Sequence, residues 1–171
     1  MTRCKQALLS AALILALCGL AGCGGSSAAT KSVQWQTVRG SGVTFEAPAG
    51  WKVERAQNRV SVTKGSQLVQ ISTFPLAKPY SDKLFAPVAT ELRSRMGEIA
   101  RQTGGALSTL PSVTADGVRS HAYQVTAGDQ VDEYVFVLGG MREHLLLCRR
   151  TSASADDSEF CGRLVTSFAR R

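Results

Sequence analysis

The sequence predicts an α+β fold, in which an antiparallel sheet is covered by helices on both faces. Three observations lead to this prediction. Several segments alternate polar and apolar residues or favour β-branched and aromatic ones, which is typical of strands. One longer segment and the C-terminal segment each carry an apolar stripe at helical spacing. Two strands between these helices are apolar on both faces, so both sides of the sheet should be buried.

The N-terminus has the parts of an export signal that ends at a lipidation site. Met1–Gln6 carries Arg3 and Lys5 but no acidic residue, and residues 7–20 carry no charge. A helix of that length spans about 21 Å, which is too short for the ~30 Å core of a bilayer but suits a signal peptide. The segment then runs into Leu20-Ala21-Gly22-Cys23, which resembles a bacterial lipobox. Residues 1–22 are therefore predicted to be a lipoprotein signal peptide.

Cys23 is predicted to carry the lipid. The small residues Ala21 and Gly22 fit a narrow protease groove, and the Cys23 thiol is the nucleophile that accepts a diacylglycerol. Cys18 is a poorer acceptor because the bulky Leu17 precedes it. The alternative is a buried N-terminal helix that happens to contain cysteines. Two acyl chains such as palmitate make a stable anchor, so we expect a cell-membrane lipoprotein on the extracytoplasmic face. Whether a second membrane is present stays open.

The rest of the chain is predicted to be a short tether and one domain. Residues 23–32 hold Cys23 and small polar residues, which form a flexible tether reaching about 15–18 Å. Residues 33–171 have the size of one globular domain. Loss of Arg3 and Lys5 with the signal lowers the formal net charge from +7 to +5. The remaining basic residues are scattered, which indicates a solvated surface or, alternatively, attraction to anionic lipid or cell-wall polymer. No nucleic-acid motif is present, so no nucleic-acid partner is expected.

The first half of the domain is predicted to contain strands followed by a helix. Five strands are expected, at residues 32–38, 42–48, 51–56, 59–65 and 67–74, with turns at Ala49–Trp51 and Lys64–Gly65. The helix is expected to begin near Ala86 and to end before Gly104, with Ser81 as a plausible N-cap. Its apolar stripe consists of Leu84, Val88, Leu92, Met96 and Ile99.

The second half is predicted to contain three strands and a terminal helix. The strands are expected at residues 118–126, 130–138 and 142–150, and Gly139-Gly140 is predicted to be a two-residue hairpin turn that places Val135 opposite His144. One face then carries Tyr134, Phe136, Leu145 and Leu147, and the other carries Val135, Val137, Leu146 and Cys148. Residues 156–171 are predicted to be helical. The helix opens on Asp156, Asp157 and Glu159, buries Phe160, Leu164 and Phe168, and closes on Arg170 and Arg171.

Two cysteines of the domain, Cys148 and Cys161, are predicted to form a disulfide. An exported domain folds in an oxidising compartment, and the bridge would stabilise it by roughly 3 kcal/mol. Two buried free thiols are the alternative, and the spacing fits neither a redox motif nor a zinc site. A bridge requires the terminal helix to cover the face that carries Cys148. The earlier helix should then cover the face that carries Tyr134.

The segment VTFEAPAGWKV, residues 43–53, resembles the F-x-x-P-x-G-W opening of Mog/PsbP-like proteins, especially the LpqN-like lipoproteins of actinobacteria. The segments EYVFVLGGMREHLLLCRR and FCGRLVTSF are similar to the last hairpin and closing helix of that family. The resemblance extends from Val43 to Phe168. It implies an α/β/α layering and accessory or binding roles at membrane complexes, and it carries no shared catalytic residues.

No pattern in the chain predicts an enzyme, a metal site or a cofactor. His121 and His144 lie inside predicted strands, Glu143 points to the face opposite His144, and neither a nucleophile elbow nor a zinc-protease motif is present. We expect a non-enzymatic accessory or binding module for a cell-envelope protein or polymer. A flat exposed patch containing aromatics such as Trp35 or Tyr80 would favour this function. The alternative is a small-molecule or lipid-binding protein with a pocket between sheet and helix.

Overall fold

The computed structural model describes residues 33–152 and 158–171. The predicted signal peptide and tether, including Cys23, lie outside the described residues, as do Asp156 and Asp157. None of the helices in the described ranges is long and apolar enough to cross a membrane.

The described chain contains nine strands and two α-helices. The strands are β1 Trp35–Gly40, β2 Val43–Pro48, β3 Lys52–Ala56, β4 Arg59–Lys64, β5 Gln67–Tyr80, β6 Ala106–Ala115, β7 Val118–Ala127, β8 Gln130–Thr151 and β9 Ala169–Arg170. The helices are α1 Phe85–Thr103 and α2 Ser158–Ser167, and a short 3₁₀ turn, Asp82–Leu84, precedes α1.

The strands form two antiparallel sheets. The larger sheet has the order β3-β4-β5-β8-β7-β6, and the smaller one has the order β1-β2-β9. The predicted α+β class is confirmed. The prediction of one sheet is wrong, because β1 and β2 pair with each other and with the chain end at β9 rather than with β3.

Helix α1 begins and ends close to the predicted residues. It starts at Phe85, one residue before the expected start, and its C-cap Gly104 adopts the left-handed conformation, with φ of 65°, that ends helices without a steric penalty. Ser81 precedes the 3₁₀ turn, so it is not the N-cap of α1. Leu92 and Met96 of the predicted stripe are buried.

The element β8 folds back on itself as a hairpin. Its first arm pairs with β7 and its second arm pairs with β5. The Ser152 N–H donates to the Asp129 carbonyl at 2.7 Å, and Arg149 contacts Asp132 at 2.8 Å. Both contacts join residues near the open end of the hairpin, and both are shifted by two residues from the predicted register.

The shift follows from the turn. Gly140 has a φ of 55°, whereas Gly139 is not in the left-handed region. A single left-handed glycine at the first turn position is typical of a type II′ turn, which puts the turn at Gly140-Met141 instead of Gly139-Gly140. Because a shift of two residues preserves the alternation of side chains, the predicted faces of both arms are unchanged.

Two separate clusters of buried side chains confirm those faces. One contains Val135, Val137, Leu146 and Cys148 together with Phe160, Leu164 and Phe168, which follow or belong to α2. The smaller sheet adds Val38, Val43, Phe45 and Ala47 to this cluster. The other cluster contains Tyr134 and Phe136 together with Leu92 and Met96 of α1, and the partly buried Leu145 and Leu147 pack against it. Buried residues of α2 thus share a cluster with Cys148, and buried residues of α1 share one with Tyr134.

Two strands were not expected from the sequence. Strand β6 is an edge strand that contains Pro111, and its pairing with β7 is irregular between Leu110 and Val113. Proline is tolerated at such an edge position, although it weakens the strand pattern. Strand β9 has only two residues, and the prediction that residues 156–171 are helical is wrong at the chain end, where this strand forms. Helix α2 stops at Ser167, so Arg170 and Arg171 do not close a helix.

Candidate functional site: an arginine-lined cleft

The two cysteines of the domain lie at disulfide distance. The Cα atoms of Cys148 and Cys161 are 5.4 Å apart, inside the range that a bridge requires. Both side chains are buried in the cluster under α2. The pair therefore connects the start of α2 to the second arm of β8, as the cysteine count predicts.

The histidine His121 has a structural environment. Its Nε2 atom lies 2.9 Å from the Phe85 carbonyl oxygen, and its ring stacks on the Phe85 ring at a centroid distance of 3.9 Å. The Arg119 guanidinium lies 4.2 Å from the centroid of the Phe85 ring. Burial lowers the pKa of His121 below its ordinary value of 6.5. The histidine is thus packed and hydrogen-bonded where β7 meets the start of α1.

His144 and Glu143 lie on opposite faces of the sheet, as the alternation predicts. The Glu143 carboxylate, which is buried, pairs with Arg95 of α1 at 2.6 Å. The His144 Nδ1 atom lies 3.1 Å from the Thr73 hydroxyl on the other face, and the ring lies 5.6 Å from Phe168. The two side chains therefore cannot act together as an acid–base pair.

An open cleft of about 1250 Å³ lies at the end of the sheets where His144 is found. The turns β1–β2, β3–β4, β6–β7 and the β8 hairpin all reach this end, together with the chain end after β9. Its charged lining side chains are Asp116, Arg142, Arg170 and Arg171. Three guanidinium groups thus share the cleft with one acidic side chain, that of Asp116.

Two tight turns shape the walls of the cleft. Ser41 and Gly42 in the β1–β2 turn have φ values of 52° and 74°, and Asp116 and Gly117 in the β6–β7 turn have 48° and 73°. Two consecutive left-handed residues are the signature of a type I′ hairpin turn, which favours glycine and aspartate. Asp116 is thereby presented at the tip of a hairpin beside the chain end.

Arg170 is held by Asp116. Its Nε donates to the carboxylate at 2.6 Å, and a second guanidinium N–H donates to the Asp116 carbonyl at 3.2 Å. This pairing lowers the pKa of Asp116 below its ordinary value. A Cβ atom on Gly139 would come within 2.5 Å of the Arg170 guanidinium, so the absence of a side chain at Gly139 leaves room for this arginine.

Arg142 and Arg171 are not paired with any carboxylate in the described ranges. Arg142 lies beside the β8 turn and is exposed. The Arg171 backbone N–H donates to the Gly42 carbonyl at 2.9 Å, and its guanidinium contacts the Thr44 hydroxyl. The cleft therefore holds two guanidinium groups whose charge no acidic side chain of the described chain neutralises.

His144 forms the buried floor of the cleft. Burial, reinforced by the positive charges of Arg170 and Arg142, lowers the pKa of His144 below 6.5, and the charge of Asp116 opposes this only in part. One wall is apolar and consists of Pro75, Leu76 and Met141. Met141 is half exposed, at 50%. The cleft can thus hold an anion together with uncharged atoms.

The opposite end of the β8 hairpin also carries arginines, but these are neutralised. Arg149 makes two hydrogen bonds of 2.8 Å to Asp132, whose side chain is 3% exposed. Arg150 pairs with Glu133 at 3.0 Å. The Tyr134 hydroxyl adds a weak bond of 3.4 Å to Asp132, and burial together with the Asp132 charge raises the pKa of Tyr134 to about 12.

A smaller cleft of about 290 Å³ lies near the point where the chain enters the domain. Its lining includes Val33, Trp35, Trp51 and Phe160. The Arg163 guanidinium lies 5.5 Å from the centroid of the Trp35 ring. Trp35 and Tyr80 are only partly exposed. Among the described residues, the large apolar side chains that are exposed are those of Val33, Phe74, Leu84 and Met141.

The arginine cleft was not expected from the sequence. Arg142, Arg170 and Arg171 are scattered along the chain, and the last two read as residues that close a helix. Pairing of β9 with Val43 and Thr44 brings the chain end to the β1–β2 turn. The glycines of the turns at Ser41-Gly42, Asp116-Gly117 and Gly139-Gly140 are a sequence signal for turns. They do not indicate that these turns meet at one cleft.

Comparison with known proteins supports the fold. No family model and no curated protein matches the chain. The solution structure of cyanobacterial PsbP (CyanoP) from Synechocystis is similar, with a TM-score of 0.56 and 17% identity over 89% of this chain and 99% of that one. A crystal structure from Bacteroides thetaiotaomicron has a TM-score of 0.53 and 10% identity over 81% of this chain. The chain spans about half of that protein, 48% of its length. The domain thus has a PsbP-like fold.

Proposed function

We propose that this protein is a membrane-anchored extracytoplasmic lipoprotein whose domain is a non-enzymatic binding module for an anionic cell-envelope partner, a polymer or a protein. The observation that carries the proposal is the arginine cleft. Three guanidinium groups and one acidic side chain line an open cleft with a volume of about 1250 Å³. Guanidinium groups are suited to binding carboxylates and phosphates in a bidentate manner.

The chemistry of the cleft favours binding over catalysis. His144 is the cleft side chain whose ordinary pKa is near neutrality, and it is buried against Thr73 and Phe168. Asp116 is occupied by Arg170. A general acid or base needs a proton-transferring group within reach of the substrate. Apart from Asp116, the exposed ionisable side chains of this cleft are arginines, which stay protonated.

The PsbP-like fold and the packing of the helices support two finer assignments. We infer an α/β/α layering, in which α1 covers one face of the larger sheet, and α2 and the smaller sheet cover the other. The F-x-x-P-x-G-W segment from Phe45 to Trp51 and the lipobox at Cys23 together support an LpqN-like lipoprotein. The accessory role at the membrane is proposed on that resemblance.

The anchor is tested by substitution of the lipid acceptor. We expect Cys23→Ala to release the protein from the membrane fraction and to abolish incorporation of labelled fatty acid, while Cys18→Ala, the matched control, leaves both unchanged. The predicted lipid anchor would be contradicted by two results together: the Cys23→Ala protein stays in the membrane fraction, and the native protein never takes up the labelled fatty acid.

The binding role is tested with the same released form. The Cys23→Ala protein should sediment with cell-envelope fragments from its native cells, and addition of Arg142→Ala and Arg171→Ala should leave it in the supernatant. Arg93→Ala, on the exposed side of α1, is the control for loss of an exposed arginine outside the cleft, and it is compared with each cleft substitution made singly. Sedimentation that is unaffected by the two cleft substitutions would show that the partner binds elsewhere.

The second candidate is a small-molecule or lipid-binding protein. The cleft of about 290 Å³ between the smaller sheet and α2, lined by Trp35, Trp51 and Phe160, favours it. This volume is at the low end for ligand pockets. A ligand extracted from the native protein that quenches tryptophan fluorescence on rebinding would support this function, and the cleft substitutions at Arg142 and Arg171 should not affect it.

A further inference from the structure

We infer that the group bound by the arginine cleft is a phosphate carried on an extended polymer, rather than a carboxylate or the headgroup of a membrane lipid. The inference rests on the proposed function, because it names the chemistry of the partner at the same site. The charge, the geometry and the size of the cleft, together with its small apolar wall, each contribute to it.

The charge of the cleft calls for more than a single negative charge. Arg170 is neutralised by Asp116 at 2.6 Å. Arg142 and Arg171 have no acidic partner among the described residues, and they lie on two different elements, the β8 turn and the chain end after β9. A ligand that satisfies both must present negatively charged oxygens to both sides of the cleft.

The arrangement of the guanidinium groups favours phosphate. Carboxylates and phosphates can both accept from two guanidinium groups. The two oxygens of a carboxylate lie in one plane, whereas a phosphate directs its oxygens tetrahedrally, so guanidinium groups that come from different directions contact it more readily. Arg142 and Arg171 line the cleft from different elements, which suits a phosphate better than a single carboxylate.

The size and the apolar wall of the cleft favour an extended ligand. Its volume of about 1250 Å³ exceeds that of pockets for drug-sized ligands, which are roughly 300–1,000 Å³, and it is open to solvent. Pro75, Leu76 and Met141 provide apolar contact beside the arginines. A polymer with phosphates joined by uncharged units matches this alternation of charged and apolar surface.

The small extent of the apolar wall favours a polymer over a membrane lipid. In the part of the chain that the structure describes, this wall is limited to Pro75, Leu76 and Met141, which is less than an acyl chain would need. A membrane lipid is therefore the weaker match.

The inference is tested by calorimetric titration of the full-length chain carrying Cys23→Ala. The probes are a short linear polyphosphate, poly-glutamate of equal charge, and phosphatidylglycerol vesicles. We expect polyphosphate to bind most tightly, and the affinity to fall as the salt concentration rises because counterions are released. Arg142→Ala and Arg171→Ala should each weaken binding about tenfold.

Two matched variants sharpen the test. Arg142→Lys keeps the charge but loses the two-point contact, so it should recover only part of the lost affinity. Arg93→Ala removes an exposed arginine outside the cleft and should leave the affinity unchanged. A urea unfolding curve for each variant checks that it is folded. We expect the Arg142 variants to be as stable as the native domain, because Arg142 has no partner in the described ranges whose loss would destabilise it.

The outcomes separate this inference from the proposed function. Equal or tighter binding of poly-glutamate, lost in the cleft variants, would overturn the choice of phosphate but leave the anion-binding module intact. Tighter binding of the vesicles, lost in the same variants, would overturn the choice of a polymer. Failure of all three probes, or binding that the cleft variants do not change, would overturn both the inference and the proposed site.

Discussion

The two ends of the β8 hairpin carry arginines in opposite surroundings. At the open end, Arg149 and Arg150 each face a carboxylate of the other arm, and the Asp132 carboxylate is buried. At the turn end, Arg142 is exposed and Arg170 pairs with Asp116, whereas Arg142 and Arg171 pair with no acidic side chain of the described ranges. The first group serves the stability of the fold, and the second leaves charge available for a partner. The partner of an arginine, and not the number of arginines, thus distinguishes the two roles.

The largest expected effect concerns the Cys148–Cys161 pair, which secures the open end. Replacement of both cysteines by alanine should lower the free energy of unfolding by about 3 kcal/mol, because the bridge restricts the unfolded chain. A denaturant titration measures this loss. The polyphosphate affinity at the turn end should stay unchanged. Two reactive thiols in the exported protein, denatured without reductant, would contradict the bridge.

A second effect tests the ion pair at the open end against the free arginine at the turn. Arg149→Ala leaves the Asp132 carboxylate without its ion-pair partner, although the Asp132 side chain is only 3% exposed. Breaking a buried pair costs ~3–5 kcal/mol, and the partial exposure of Arg149 reduces the expected loss to about 2–3 kcal/mol. Arg142→Ala should change stability by less than about 0.5 kcal/mol. Equal losses in the two variants would show that the two ends do not differ as described.

The smallest effect is the dependence of stability on pH, and it belongs to the turn end. Burial and the charges of Arg170 and Arg142 lower the pKa of His144, while Asp116 opposes them. The unfolded chain therefore binds a proton near pH 6.5 that the folded chain does not. Stability should fall as the pH drops below about 6.5, and His144→Gln should reduce the slope.

His121 provides the comparison for this measurement. Burial lowers the pKa of His121 as well. The Phe85 carbonyl opposes this shift, and the Arg119 guanidinium adds to it. A His121→Gln variant should therefore also flatten the slope, while the doubly substituted protein should show the flattest curve above the range where carboxylates titrate. A slope that neither substitution changes would mean that the histidines are not held neutral.

Much of the fold follows from local patterns, but the site does not. The stripe of α1, the faces of β8 and the cysteine pair depend on spacing within one segment or on the count of thiols, so the sequence alone predicts them. The β8 turn was misplaced by one residue because two adjacent glycines fit both positions, and only the backbone shows that Gly140 is the left-handed one.

The arginine cleft depends on contacts between distant segments. The two residues of β9 carry no strand pattern, yet their pairing with Val43 and Thr44 brings Arg170 and Arg171 to the β1–β2 turn. Asp116 contacts Arg170 because β6 forms a hairpin with β7. Pro111 weakens the strand pattern of β6, so the sequence does not predict this hairpin. Neither step has a local signal, so the separation of free from neutralised arginines appears only in the folded chain.

The central claim is that a polyanion binds at the turn end of β8 and not at the open end. Chemical-shift mapping of the ¹⁵N-labelled full-length Cys23→Ala protein during a polyphosphate titration tests it most directly. We expect the largest amide shifts at Ser41, Asp116, Arg142 and Arg171, with little change at Asp132, Arg149 and Arg150. Shifts concentrated at Arg149 and Arg150, or spread evenly over all exposed basic residues, would contradict the assignment of the cleft.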